Sequence, residues 1–172
     1  MRHRRWVWVC VPALLAGPAW ALSSDREQPI HIEADSVLLD DARGVAVYRG
    51  NVRFTQGSTR LNADEVTLHS GNRKELDRVV AVGRPATFRQ RPDKQKEEVR
   101  GQAMRIDYST TDAVVVLTEQ ARLWQAGNEF SGHRIEYETL KETVKGYKKP
   151  DGGERVHVII QPRLRNEAGD PP

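Results

Sequence analysis

The chain has 172 residues, of which 38% are hydrophobic and 30% are charged, and its formal net charge is +3 at pH 7. This length predicts one domain, and the single cysteine, Cys10, excludes a disulfide framework. Three arginines lie before residue 6, and the rest of the chain balances 24 basic with 24 acidic residues. That balance argues against the basic surface by which proteins bind nucleic acid, so no nucleic-acid partner is expected.

The first 21 residues have the layout of a secretory signal peptide. A basic start, Met1–Arg5, precedes an apolar run, Trp6–Ala16, and Ala19-Trp20-Ala21 has the small residues that signal peptidase reads. The run is too short to span a bilayer, and two prolines disfavour the alternative of an uncleaved anchor helix. The sequence therefore predicts cleavage after residue 21, export to the periplasm and no membrane span.

Alternation of apolar and polar residues dominates the rest of the chain and predicts antiparallel strands with one buried face. The alternating or β-branched segments are Ile30–Glu33, Tyr48–Thr55, Ala103–Tyr108, Arg134–Tyr137 and Val156–Ile160. Turn-forming residues separate them at 41–44, 70–72, 91–93, 126–128 and 150–153. We predict an all-β domain over residues 22–162, followed by a disordered polar tail at 163–172.

Two strand units repeat along this domain. The first pattern, apolar-polar-small-polar-polar-apolar, recurs at Ile32–Val37, Leu61–Val66, Val99–Met104 and Phe130–Ile135. The second recurs between them at Val47–Phe54, Ala81–Phe88 and Val116–Leu123. A regular period with variable loops indicates stacked hairpins that share a buried face. Gly50 and Gly83 in the second unit predict a bulge or a bend.

Enzymatic chemistry is not indicated, so the prediction is no catalytic residue, no metal site and no cofactor. Asp40-Asp41 and Asp64-Glu65 are paired carboxylates, but adjacent strand residues point to opposite faces. The sequence has neither a nucleophile elbow nor a glycine-rich phosphate loop. The histidines lie on separate repeats, without the spacing of a metal site: His31, His69, His133 and His157.

Several of these motifs, taken in order, resemble one known family. They are Gln28–Asp35, Gly50-Asn51-Val52, Leu61–Val66, Gly83–Phe88, Val99–Ala103 and Val115–Thr118. In their order and spacing they resemble the OstA-like family of periplasmic lipopolysaccharide-transport bridge proteins. Glu119-Gln120 stands where that family's pattern has Gly-Asn, so the case for a bend at this position of the strand is weaker.

The resemblance implies a single twisted antiparallel β-jellyroll, open at both ends, whose interior holds the acyl chains of lipid A. It also implies head-to-tail self-association, with LptC at the N-terminal edge and LptD at the C-terminal edge. The predicted groove lining is Ile30, Ile32, Val52, Phe54, Phe88, Met104, Ile106, Tyr108, Leu123, Ile135 and Tyr137. Alternation alone also fits an ordinary sandwich core, and a periplasmic or surface carbohydrate-binding module is the alternative function.

Two further sets of residues are assigned at the ends of the domain. Lys145, Lys148 and Lys149 are candidates for contact with an anionic head group, and a solvated loop is the alternative. The first strand, around Ile30–Val37, and the last, Val156–Gln161, are rich in β-forming residues and contain no internal proline. Strand edges that are not blunted recruit other strands. The predicted pairing edges are therefore Ile30, Ile32, Val37, Val156, Val158 and Ile160.

Overall fold

The computed structural model describes residues 25–71, 75–91 and 97–162. After one 3₁₀ turn, Asp25–Glu27, these residues form ten strands, as the alternation predicted. The strands are β1 (Ile30–Glu33), β2 (Ser36–Asp40), β3 (Val45–Gln56), β4 (Thr59–Ser70), β5 (Leu76–Gln90), β6 (Val99–Ser109), β7 (Val114–Gln125), β8 (Asn128–Glu138), β9 (Thr143–Tyr147) and β10 (His157–Ile159). The predicted leader at 1–21 and tail at 163–172 lie outside the described residues.

All ten strands belong to one antiparallel sheet that does not close. Its order is β1-β3-β4-β5-β6-β7-β8-β10, while β2 pairs with β3 and β9 pairs with β8. Strands β1 and β2 therefore form one end of the sheet, and β9 and β10 form the other. The predicted all-β, open, twisted jellyroll is confirmed.

A line of register breaks crosses the middle of the sheet and divides it into two arms. Every pair from β3–β4 to β7–β8 has such a break. On β3 the break is at Gly50-Asn51, and on β5 it includes Gly83, so the bulges predicted at both glycines are confirmed. The first arm contains β1, β10 and the parts of β3–β8 paired with them; the second arm contains β2, β9 and the remaining parts.

A bend is present at Glu119-Gln120, although the sequence made one less expected there. The β7–β8 register breaks between Thr118 and Ala121, as at the other corners. Glu119 and Gln120 have φ angles of 63° and 53°, comparable with 80° and 45° at Gly50 and Asn51. Such angles disfavour residues with a Cβ. The bend persists because the neighbouring strands impose their register on this pair.

The breaks also explain the first sequence repeat. Leu61, Ala63 and Val66 share the interior face, since the break in β4 shifts the inward position by one residue. The same offsets of two and five residues place Phe130, Gly132 and Ile135 inward on β8. On β6 the same offsets place Gly101, Ala103 and Ile106 on the interior face. The copy of the repeat predicted at Val99–Met104 therefore begins two residues too early.

The two strands predicted at the ends are shorter than expected. Ile30–Val37 is not continuous: Ala34 and Asp35 separate β1 from β2, although both strands pair with β3. The last strand covers only His157–Ile159, so Val156, Ile160 and Gln161 lie outside it. Within the part of the chain that the structure describes, no helix has the length and apolar character needed to cross a bilayer.

Candidate functional site

A trough lined with apolar side chains runs the length of the sheet between the two arms. On the first arm, neighbouring strands align one row of directly opposed residues: Ile32, Phe54, Leu61, Phe88, Gly101, Leu123, Phe130 and Val158. On the second arm the corresponding row is Val37, Tyr48, Val66, Ala81, Ile106, Leu117, Ile135 and Gly146. Buried members of both rows belong to a single hydrophobic cluster.

Gly101 shows how closely the arms approach in the middle of the trough. A Cβ atom at this position would lie 2.2 Å from Phe88 Cε1 and 3.2 Å from Leu117 Cδ2. Phe88 belongs to the first arm and Leu117 to the second. The phenyl ring therefore occupies the space that the glycine leaves, and the centre of the trough is filled by the protein's own side chains.

A small cavity of about 40 Å³ lies in the trough, among residues of the central strands β3–β7 and next to the 3₁₀ turn. Phe54, Leu61 and Phe88 line it from the first arm. The second arm contributes Val79, Ile106, Tyr108 and Val115, and the polar rim consists of Asp25, Gln56, Thr59 and Gln90. The lining is thus apolar below a polar mouth, the arrangement expected for an amphiphilic ligand.

The 3₁₀ turn is tied to this mouth by the carboxylate of Asp25. It accepts hydrogen bonds from the Ser58 backbone N–H (2.7 Å) and hydroxyl (2.6 Å). Thr59 Oγ1 and Gln90 Nε2 donate two more, each at 3.2 Å. Burial alone would raise the pKa of Asp25, but these four hydrogen bonds favour the anion and hold the pKa below its usual value.

Tyr137 is the one described residue with a buried side-chain polar atom that has no hydrogen-bond partner. Its ring is fully buried, and burial, together with the charge of Glu142, raises the pKa of its hydroxyl to about 12. A neutral phenol in this position can donate a hydrogen bond inside the cluster. Sequence alternation identified the ring but not the unpaired hydroxyl.

Most of the predicted lining residues come together in this trough. Those buried in the cluster are Val52, Phe54, Phe88, Ile106, Leu123, Ile135 and Tyr137. Ile32 and Tyr108 are half-buried and pack against it. Ile30 is 37% exposed and lies opposite Gln56 at the rim.

Met104 is placed differently from the prediction, because the break in β6 falls at this residue. It lines a surface depression beside Arg84 and Arg105 and is not part of the cluster. Six further residues of the buried cluster were not among the predicted lining residues: Leu61, Val66, Val79, Val99, Val115 and Leu117. The spacing of two and five residues within the repeat was the feature that could have identified the first two.

The three lysines proposed for head-group contact differ in their partners. Lys145 Nζ lies 2.5 Å from Glu138 Oε1, and Lys149 Nζ lies 3.0 Å from Asp151 Oδ2. Hydrogen bonds from Lys141 and Lys145 lower the pKa of Glu138 to about 2. Among the described residues Lys148 has no carboxylate partner, so it is the lysine that keeps an unpaired charge.

Apolar side chains are exposed at both ends of the sheet. Val37, Leu38 and Leu39 of β2 are exposed, as are Val158, Ile159 and Ile160 at the other end. Val156 is half-buried and precedes β10, and its side chain contacts the Cβ position of Gly146. Each end strand forms hydrogen bonds with only one described neighbour, which leaves its outer edge free.

In one of the two carboxylate pairs, Asp64-Glu65, each side chain forms an ion pair with an arginine. Arg84 Nε lies 3.3 Å from Asp64 Oδ2, and Arg49 Nε lies 2.7 Å from Glu65 Oε2. Among residues 25–71, 75–91 and 97–162 no three His, Cys, Asp or Glu side chains group as a metal site would require.

Comparison with known proteins places this fold in a functional context. The family model described as "LptA/(LptD N-terminal domain) LPS transport protein" matches residues 31–143. The lipopolysaccharide export system protein LptH of Pseudomonas aeruginosa is 42% identical over 158 residues, covering 89% of this chain and 90% of that protein. LptA of Escherichia coli K12, another lipopolysaccharide export system protein, is 35% identical over 170 residues, covering 95% of this chain and 90% of that protein.

A solved structure is similar as well. The crystal structure of Pseudomonas aeruginosa LptH superposes with a TM-score of 0.75 at 41% sequence identity. The match covers 81% of this chain and all of that one. That protein is described as the LptA-homologous periplasmic component of the conserved lipopolysaccharide transport device.

Proposed function

We infer the function of this chain from its family, since it belongs to the LptA/LptD N-terminal domain family of lipopolysaccharide transport proteins. Its function is lipopolysaccharide transport across the periplasm. We propose that it acts as a carrier and not as an enzyme, and that the trough binds the acyl chains of lipid A. The observation that carries this proposal is the continuous apolar interior between the two arms.

Free energies of transfer explain why a carrier needs such an interior. At about 0.8 kcal/mol per methylene, a twelve-carbon acyl chain in water carries a penalty on the order of 10 kcal/mol. The cavity of about 40 Å³ is smaller than the roughly 150 Å³ that accommodates a benzene ring. Binding an acyl chain therefore requires the arms to move apart and the side chains around Phe88 to make room.

Site-specific photo-crosslinking tests the groove. A photoreactive residue at position 88 or 108 should crosslink to lipopolysaccharide, because both side chains line the cavity. The matched controls are positions 105 and 107, whose side chains form an ion pair on the outer face at 2.7 Å. Equal crosslinking from inward and outward positions would contradict the assignment.

We propose that copies join head to tail by pairing the free edges of the two ends. The family resemblance assigns LptC to the N-terminal edge, β1 and β2, and LptD to the C-terminal edge. Exposed β-branched and leucine side chains at both ends support strand addition. Because the two edges differ, the contact is heterologous and not two-fold symmetric, and repeated contacts that do not close into a ring build a filament.

Truncation after Pro150 tests this joint, since it removes β10 and leaves β1 and β2 in place. Growth of oligomers with concentration should disappear, as measured by native mass spectrometry, while LptC binding should persist. Long oligomers of a folded truncated protein would place the joint elsewhere.

Two smaller proposals concern the ends of the chain. Residues 1–21 form a cleaved leader, so protein recovered from the periplasm should begin at Leu22 by mass spectrometry. Lys145, Lys148 and Lys149 contact the anionic head group of the cargo. Their joint replacement by Gln should weaken lipopolysaccharide binding more at low than at high salt, because salt screens exposed charges. A salt-independent result would favour the solvated loop.

A further inference from the structure

Three arginines and a tryptophan are aligned on the outer face of the first arm. Arg60 lies opposite Arg89, Arg89 opposite Arg100, and Arg100 opposite Trp124, across four neighbouring strands. Each is the chain neighbour of a residue in the interior row, so its side chain points away from the trough. Like charges directly opposite each other destabilise a sheet. Three arginines in succession therefore indicate a role other than stabilising the fold.

The arginines of this row, which we call the outer arginine row, are poorly neutralised. Arg60 Nη1 donates to the carbonyl oxygens of Gly57 (2.6 Å) and Thr59 (3.0 Å). Neither Arg60 nor Arg100 has a carboxylate partner among the described residues. Arg89 Nη1 lies 4.0 Å from Glu98 Oε2, and the Arg100 guanidinium carbon lies 6.0 Å from the centre of the Trp124 ring.

The outer face of the second arm provides the contrast. There Arg49 pairs with Glu65, Arg105 with Asp107 and Arg134 with Glu136, each at 2.7 Å. Arginines on that arm are thus neutralised within the sheet, whereas those of the outer arginine row keep their charge available for a ligand.

A second polar row completes the site. Asn62, Thr87 and Gln102 lie opposite one another on the same outer face. Each is two residues from an arginine of the outer arginine row, on the side of the register break. They line a surface depression of about 470 Å³ together with the outer arginine row and Trp124. Amide and hydroxyl groups exchange hydrogen bonds with sugar hydroxyls, a guanidinium binds phosphate through two parallel hydrogen bonds, and the electron-rich face of an indole attracts the C–H face of a sugar ring.

We propose that this depression is a second ligand site, which binds a phosphate-bearing saccharide. Arg89 and Arg100 bind the phosphate, Trp124 stacks on a sugar ring, and Asn62, Thr87 and Gln102 bind its hydroxyls. The site lies on the opposite face of the sheet from the trough and does not depend on acyl-chain binding there. The phosphate-bearing saccharide is either the sugar portion of the cargo or a free sugar phosphate.

The fluorescence of Trp124 can report ligand binding, because Trp124 is the only tryptophan beyond residue 20. Its fluorescence in protein purified from the periplasm should change on titration with deacylated, phosphorylated lipopolysaccharide oligosaccharide. The same oligosaccharide after phosphatase treatment should bind at least about tenfold more weakly, as expected for loss of a charge-assisted contact. The probe lacks acyl chains, so a failure here leaves the groove proposal intact.

Two double variants distinguish specific binding in the depression from nonspecific attraction of an anion by positive charge. Arg89→Gln/Arg100→Gln should lower the affinity at least about tenfold. Arg43→Gln/Arg84→Gln removes the same charge from two side chains that are each 83% exposed and lie outside the depression, and it should leave the affinity unchanged. Urea unfolding of both variants establishes that the sheet is retained.

Further ligands show whether the site recognises a free sugar phosphate or the sugar portion of the cargo, and whether it prefers saccharides to other anions. If glucosamine 6-phosphate binds as tightly as the oligosaccharide, the site recognises a single sugar phosphate; if only the oligosaccharide binds, it recognises the sugar portion of the cargo. Equal binding of the dephosphorylated oligosaccharide, tighter binding of hexaglutamate, or equal weakening by both variant pairs would each overturn the proposal.

Discussion

In the middle of the sheet the side chains of Leu117 and Ile135 are fully buried, whereas Leu39 at one end is 65% exposed and Ile160 at the other end is 72% exposed. The strands differ in length as well: β3–β8 have 11 to 15 residues and the end strands have 3 to 5. The two regions use the same residue types, so composition does not separate them.

The difference shows that the sheet divides its apolar residues between two uses. Apolar area removed from water in the middle stabilises the fold, at about 25 cal/mol per Å². Apolar area left in water at the ends contributes nothing to the isolated chain and becomes stabilising only when a further strand covers it. Substitutions in the middle should therefore change the free energy of unfolding, and substitutions at the ends should change association.

The largest effect is expected at Phe88. Phe88→Ala removes a buried ring that fills the space over Gly101, and the free energy of unfolding should fall by about 3–5 kcal/mol. Leu39→Ala at the exposed end should change it by less than about 0.5 kcal/mol. Urea unfolding measures both, and equal losses would contradict the division into a stabilising middle and uncovered ends.

A smaller effect is expected from filling space within the trough. The added Cβ of Gly101→Ala would lie 2.2 Å from the Phe88 ring, and such overpacking costs about 1–3 kcal/mol. Gly132→Ala is the matched control in β8, nearer the C-terminal end, where the nearest atom would be 3.6 Å away. We expect Gly132→Ala to retain wild-type stability in the same urea titration. A tolerated Gly101→Ala would show that the centre of the trough is looser than its geometry indicates.

The sequence predicted correctly that the chain forms strands, but it predicted less well which residues of a strand face the interior. Alternation at Tyr48–Thr55 and Arg134–Tyr137 identified strands, because exposure of one sheet face imposes a period of two. Met104 was assigned to the wrong face because the break in β6 adds a residue that no local motif marks. The bend at Glu119-Gln120 was less expected than the others for a related reason: it depends on pairing with distant strands and not on the local preference for Gly-Asn.

The outer arginine row shows a second limit of sequence reasoning. Arg60, Arg89 and Arg100 belong to three different strands, and their alignment depends on the register of two strand pairs. Their charges cancel against acidic residues in the whole-chain count. The site was therefore invisible to composition, and only the register brings its members together.

Asp25 links the segment before β1 to the middle of the sheet and gives a pH-dependent effect. Asp25→Ala should cost about 1 kcal/mol at pH 7, because it leaves the Ser58 N–H without its acceptor. The folded-state pKa of Asp25 lies below its usual value of 3.8. The stabilisation is therefore present above about pH 4 and is lost as the pH falls through the folded-state pKa.

Unfolding of the wild type and of Asp25→Ala at pH 7 and at pH 3 measures this effect. The difference between the two proteins should shrink at the lower pH. A difference that stays constant would mean that the carboxylate is not the source of the stabilisation.

The smallest effect on stability, and the most specific effect on assembly, is expected at the edge of β2. Leu38 is 60% exposed, so Leu38→Lys should change the free energy of unfolding by less than about 0.5 kcal/mol. A lysine on an edge strand opposes pairing with another strand, so the concentration at which oligomers form should rise, as measured by sedimentation velocity. Leu140→Lys is the matched control, because Leu140 is 77% exposed in the turn between β8 and β9. If both variants weaken self-association equally, surface charge and not the β2 edge controls it, and the N-terminal edge is not where copies meet.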